Sequence, residues 1–264
     1  MIMLMALPRL WFPDGVSTYA AEVDRLFYII LVITGLIFVI VNVALLYIVV
    51  QYRHREGRRA DYIHGNTRAE VIWTAIPFVI VVIIAGLSIG PWLRIRDYNR
   101  FPPADIEIAV AAKQFEWNVT YPGADGILGT EDDFIRRNQL HLPVGRVVHV
   151  HLTADDVIHS FFLPNFRVKQ DAVPGMSIPV WFEATTTGTF PLGCAELCGL
   201  GHYRMRGTVT VHSGQEFDDW ARSGGTIAFS SETAPAARIA AGAADAAGTA
   251  GHSDHTGHTG HTGH

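Results

Sequence analysis

The sequence predicts a membrane-spanning helical hairpin followed by an all-β domain. Three observations carry this reading: two long uncharged apolar runs near the start, a change after Pro102 to short β-forming segments, and a closing stretch almost free of bulky apolar residues. At 264 residues the chain accommodates one folded domain besides membrane elements and tails. Its formal net charge of -5 argues against nucleic acid or an acidic polymer as partner.

The first run, Phe27 to Val50, contains no charge and only Asn42 as a strongly polar residue, and the second, Val71 to Leu93, is also uncharged. Each exceeds the ~20 residues needed to cross a bilayer at ~1.5 Å per residue. Tyr28, Tyr47, Trp73 and Trp92 lie near the ends, where amphipathic rings favour the headgroup layer. Arg53, Arg55, Arg58, Arg59 and Arg68 crowd the loop between the runs, whereas Arg9 and Arg25 alone precede the first. Positive loops stay cytoplasmic, so both termini are expected on the outer side, with Arg94, Arg96 and Arg100 softening the contrast. Met1 to Leu7 is short and has no leading positive charge, which makes a poor signal peptide.

Beyond Pro102, the segments 106–112, 115–121, 146–153, 177–184 and 206–212 are rich in Val, Ile, Phe and Thr and are punctuated by Gly and Pro. Such spacing predicts a β-sandwich or barrel. A short helix is expected over 215–222. The acidic, turn-forming stretch 125–133 departs from the EF-hand spacing and reads as a solvated hairpin insertion. His149 and His151 share one strand face and read as structural. The expected divisions are an N-terminal segment 1–26, the hairpin 27–93, the β domain 104–222 and a disordered tail 230–264 ending in His-rich Thr-Gly-His repeats.

The chemistry concentrates in Gly193–Met205. Cys194, Cys198, His202 and Met205 place two thiolates, an imidazole and a thioether within 12 residues. Soft sulfur with imidazole suits copper cycling between two oxidation states, and a thioether is a poor zinc ligand. A single-copper blue site uses one Cys, whereas two thiolates can bridge two coppers if each also takes a His. His159, predicted at a strand end, is the second candidate. Glycines at 193, 199 and 201 are expected to give the loop room to wrap a metal.

The Cys-x-Glu-x-Cys-x3-His-x2-Met run from Cys194 to Met205 resembles the dinuclear CuA loop of cytochrome c oxidase subunit II. Val157–Phe161, Val168–Gly175 and Glu70-x-x-Trp73-Thr74-x-x-Pro77 resemble three further segments of that family, in the same order. The resemblance implies a cupredoxin fold for the outer domain. It implies that Cys194 and Cys198 bridge two coppers, that His159 and His202 bind one each, that Met205 is a weak ligand, and that Glu196 contributes its backbone carbonyl. The Glu196 side chain would share a magnesium ion with subunit I. The implied partners are subunit I, subunit III, a cytochrome c-type donor and membrane lipid. The implied location is a bacterial inner membrane with the copper domain periplasmic, and the implied activity is electron transfer toward haem and oxygen reduction in subunit I.

With no Cys-x-x-Cys-His motif in these residues, no covalently attached c-type haem is expected, and the expected donor is a separate protein. The family's Gln-Trp-x-Trp stretch is Gln114-Phe115-Glu116-Trp117 here, so electron uptake is expected at Phe115 and Trp117, with Trp117 equally readable as a core aromatic. Met176 stands where the family commonly has Arg. Glu70 reads as the mouth of a proton path or as a solvated carboxylate at a helix N-terminus. A copper-free quinol oxidase subunit would lack the ligands present here. Nitrous oxide reductases typically have Trp at position 196 and no paired spans, and copper chaperones favour exposed, exchangeable sites.

Overall fold

The computed structural model describes residues 12–59, 62 and 64–226. The expected tail 230–264 and its His repeats lie outside the described residues.

Helices α1 (Ala20–Gln51) and α2 (Thr67–Arg96) contain the two apolar runs. None of the most apolar 18-residue window of either helix is buried within the chain, which separates them from core helices of a soluble domain. Both outrun the apolar segments because polar groups extend and cap them. The Asn66 side chain accepts a hydrogen bond from Ala69 N–H at the start of α2. The first turn of α1 continues above the apolar run and rests on the β domain, where the Tyr19 hydroxyl just ahead of it donates to the Trp181 carbonyl at 3.1 Å.

Among the described residues ten strands follow: β1 (Ile106–Lys113), β2 (Glu116–Tyr121), β3 (Phe134–Arg137), β4 (Gln139–Pro143), β5 (Val147–Ala154), β6 (His159–Leu163), β7 (Val168–Ala172), β8 (Ile178–Glu183), β9 (Gly188–Cys194) and β10 (Arg206–His212), before helix α3 (Gly214–Arg222). They form two five-stranded sheets, ordered β3-β2-β1-β5-β8 and β4-β10-β9-β6-β7. Strand β5 shows the period of two that a half-covered strand needs. Val148, Val150, Leu152 and Ala154 are buried, and His149 and His151 alternate with them. His149 contacts the Pro102 carbonyl at 2.9 Å and His151 the Glu107 carboxylate at 3.2 Å, in keeping with a structural role for both.

The chain differs from the sequence expectation where polar or turn-forming residues serve as strands. β7 carries Lys, Gln and Asp, and β9 contains two Gly and a Pro, so neither reads as a strand by composition. Gln114 and Phe115 form the β1–β2 turn rather than opening β2. His159 is the first residue of β6, not the end of a strand, because Asp155–Ile158 make the turn out of β5.

Arg167 joins the β domain to the base of α1. Its backbone is left-handed (φ 59°), and its side chain is 5% exposed. It pairs with both Asp24 carboxylate oxygens at 2.6 and 2.9 Å, donates to the Pro164 and Pro13 carbonyls, and lies over the Phe12 ring at 4.9 Å. Removing one partner of a buried pair strands the other's charge. Arg167→Met in the full chain is expected to lower stability by about 3–5 kcal/mol, with Asp24→Asn/Arg167→Met recovering most of the loss in thermal unfolding in detergent.

At the β4–β10 pairing, His141 Nδ1 and His212 Nε2 are 2.8 Å apart, and the His141 ring stacks on Trp220 with centroids 4.2 Å apart. Burial pushes each imidazole down to about 4, the neighbouring His212 adding to the effect on His141. The folded state therefore binds fewer protons than the unfolded chain between the ordinary value near 6.5 and about 4. Stability is expected to be full above pH 6.5 and to fall as pH drops through that window, and denaturant midpoints should show this drop flattened in His141→Gln.

Candidate metal centre

Three chain segments meet at one end of the sandwich. Strand β6 pairs with β9 so that Phe161 faces Cys194 and Phe162 faces Gly193. Ala195 N–H donates to the Ser160 carbonyl at 3.0 Å, and Cys194 N–H to the Met205 carbonyl at 3.1 Å. These bonds hold both ends of the 194–205 loop, bringing His159 beside Cys194 although 35 residues separate them. The β1–β2 turn, Gln114–Phe115, lies against the same loop.

The donor atoms form one cluster. Cys194 Sγ is 3.8 Å from Cys198 Sγ and 4.0 Å from His159 Nδ1. Cys198 Sγ is 3.6 Å from His202 Nδ1 and 3.8 Å from Met205 Sδ. Met205 Sδ lies 3.2 Å from His159 Nδ1, and the Glu196 carbonyl is 3.2 Å from Cys194 Sγ. Metal–ligand bonds of about 2.0–2.3 Å in tetrahedral geometry place neighbouring donors roughly 3.3–3.8 Å apart, and the observed separations of 3.2–4.0 Å bracket that range, as a site for a soft metal held by sulfur and imidazole requires. The donor atoms of His159, Cys194 and Cys198 all lie within 4.8 Å of one another.

Burial is uneven across the cluster. His159, Cys198 and Met205 are almost fully enclosed, Cys194 and His202 are partly exposed, and the Glu196 side chain is exposed. Burial, then the charge of Cys194, pushes the Cys198 thiol up to about 11. A metal binding there has to displace the proton.

Asp156 and Gln114, to which sequence reasoning assigned no role, complete the surroundings. Asp156 Oδ1 lies 2.8 Å from His159 Nε2 and accepts from Val157 N–H, while its Oδ2 accepts from Gln114 N–H at 2.7 Å. Burial raises the Asp156 pKa, but the hydrogen bonds from His159, Gln114 and Val157 outweigh it and hold the carboxyl below its usual range. With Nε2 facing a carboxylate, the tautomer protonated at Nε2 is the one that satisfies both contacts, since it leaves the Nδ1 lone pair directed to the sulfur cluster. An Asp three positions before a candidate His ligand was the available sequence signal. The Gln114 side-chain amide donates to the Cys198 carbonyl at 2.6 Å, a contact that residue spacing alone does not disclose.

Other expected residues fall in different places. Trp117 is fully buried, its ring 6.2 Å from that of His159 and 5.5 Å from that of Phe161, so it packs beneath the cluster. Phe115 is partly exposed and lies against the 194–205 loop. Glu70 is in the first turn of α2, exposed and apart from the cluster.

The three loop glycines have different constraints. Gly199 has φ 134°, and a Cβ there would fall 2.6 Å from the Gln114 amide nitrogen. At Gly201 a Cβ would fall 2.5 Å from the Phe115 ring, whereas at Gly193 it would meet nothing within 4 Å. Room is therefore needed at 199 and 201 and not at 193. Gly201→Ala is expected to displace Phe115 or the loop and weaken metal binding about tenfold, with Gly193→Ala near wild type, as read by competition with a chelator.

Comparison with known proteins places these features in context. Residues 6–90 match the family model for the transmembrane domain of cytochrome c oxidase subunit II, and residues 111–212 match the model for its periplasmic domain. A cytochrome c oxidase subunit 2 from Thermostichus vulcanus is 34% identical, the alignment covering 84% of this chain and 80% of the relative. An alternative cytochrome c oxidase subunit 2 from Bradyrhizobium diazoefficiens is 33% identical, covering 83% and 86%. A crystal structure of the periplasmic domain of subunit II of cytochrome oxidase from Bradyrhizobium japonicum is 35% identical, with a TM-score of 0.42 over 47% of this chain and 95% of that one.

Proposed function

Because this chain belongs to the cytochrome c oxidase subunit II family, we propose that it accepts electrons from a cytochrome c-type donor and passes them to haem in subunit I for reduction of O2 to water. Relatives named as subunits of this oxidase place the chain in an oxidoreductase complex. The clustering of two thiols, two imidazoles, a thioether and a carbonyl at one end of the sandwich carries the reading.

The set suits two coppers, which Cys194 and Cys198 would hold between them. His159 and Met205, with donor atoms 3.2 Å apart, would serve one copper, and His202 with the Glu196 carbonyl the other. When bound, the pair supplies a one-electron couple shared through the bridging sulfurs. The chain's own residues keep the geometry constant. Asp156 fixes the His159 ring, Trp117 packs beneath it, and burial of Cys198 and Met205 keeps water from the inner edge.

Electron uptake belongs on the exposed edge. Phe115 lies there against Gly199 and Gly201, and Leu197, Leu200 and Tyr203 of the same loop are 77%, 96% and 69% exposed. This apolar rim is suited to contact with a partner protein. Trp117 has no solvent-facing surface, so its part is to support His159.

The exposed Glu196 side chain is available to a magnesium ion shared with subunit I. Glu70 would open a proton path on the cytoplasmic side, where the arginine-rich loop between the helices favours that face of a bacterial inner membrane. The β domain and both termini would then be periplasmic, and the apolar helix surfaces would meet lipid, subunit I and subunit III.

Copper-loaded full-length chain in detergent is expected to hold two coppers and to give a seven-line mixed-valence EPR signal that disappears on reduction by ferrocytochrome c. Cys198→Ser should remove the seven-line signal. One copper per wild-type chain, or two with a four-line spectrum, would overturn the reading.

A further inference from the structure

The Gln114 side chain is exposed, yet both its backbone and its amide are engaged at the candidate centre. Its N–H donates to Asp156, whose other oxygen contacts His159 Nε2, and its side-chain amide donates to the Cys198 carbonyl. The two halves of the donor set come from separate segments, the β5–β6 turn with β6 and the loop after β9. The Ala195 N–H bond to the Ser160 carbonyl and the pairing of Phe161 with Cys194 join them near Cys194. At the Cys198 side the connection runs through Gln114 and, next to it, Phe115 on Gly199 and Gly201.

We infer that Gln114 is a positioning residue that couples His159 to Cys198, fixing the spacing of the two halves of the metal centre and thereby the sharing of charge between the metals. The inference rests on the dinuclear copper reading. A hydrogen bond from an exposed glutamine gains about as much as ordering that long side chain costs, so the bond adds little to folding stability. Its effect lies in where it holds the Cys198 carbonyl. The contact fixes the metal loop relative to His159 without adding a ligand, as outer groups around metal sites do. Phe115 acts with it, since its ring fills the space that Gly199 and Gly201 leave open.

Gln114→Met keeps the side-chain length and removes the amide donor while leaving the backbone bond to Asp156. In the full-length chain loaded with copper, this variant is expected to unfold at the wild-type temperature and hold two coppers. Its copper affinity against a competing chelator should fall about tenfold, and its seven-line EPR splitting should change. Asp156→Ala should alter the same two readouts, and the double variant should show less than the sum of the two, because both act through one chain of contacts. If Gln114→Met does not fold, Gln114→Glu, which sets an acceptor against the Cys198 carbonyl, carries the test with the same readouts. Wild-type splitting and affinity in the folded variant would overturn the inference while leaving the copper pair standing. Absence of the seven-line signal from the wild-type chain would instead overturn the copper pair itself.

Discussion

The register of β6 on β9 is the constraint from which the rest of the site follows. With Phe161 opposite Cys194, His159 lies two residues away on the same face of β6 and meets the sulfurs at one edge of the sandwich. A slip of one residue would turn Ser160 toward the cluster and carry His159 to the opposite face. The contact with β9 spans only two residue pairs, but the five-residue pairing of β6 with β7 and the Ala195–Ser160 bond reinforce it. A local motif in the chain thus becomes a centre through pairing between distant strands.

Protection and access are divided between opposite sides of this centre. The inner side has Trp117, Phe161 and the buried Met205, which exclude water and hold His159 in one orientation. The outer side has a partly exposed Cys194, a partly exposed His202 and a rim of apolar side chains. Asp156 spans the two, reaching a buried imidazole with one oxygen and a surface turn with the other. The two loop glycines that abut Gln114 and Phe115 allow the close approach, while the third could carry a side chain without contact.

Much of this was legible in the residues. Two uncharged runs could be read as spans because length and charge suffice for that inference. The spacing of Cys194, Cys198, His202 and Met205 let the clustering of these donors be anticipated, because they lie on one short segment. β7 and β9 were hidden because pairing to neighbours, rather than propensity, makes strands of Lys, Gln, Asp, Gly and Pro. The start of β6 at His159 and the reach of Gln114 to Cys198 were hidden for a related reason: both depend on contacts between residues far apart in sequence. The base of α1 was also obscure, since it gains its order from the β domain above it and not from an apolar pattern.

The Arg167 junction has a further consequence. Its guanidinium is committed to Asp24, Pro13 and Pro164, and the strand-like pairing of Ser17 with Ala184 runs alongside. A tether of this kind ties head to stalk at several points instead of through one free linker. On the electron-uptake reading, the head would then be a landing stage rather than a swinging arm, and the proposed carrier would have to travel the whole distance to it.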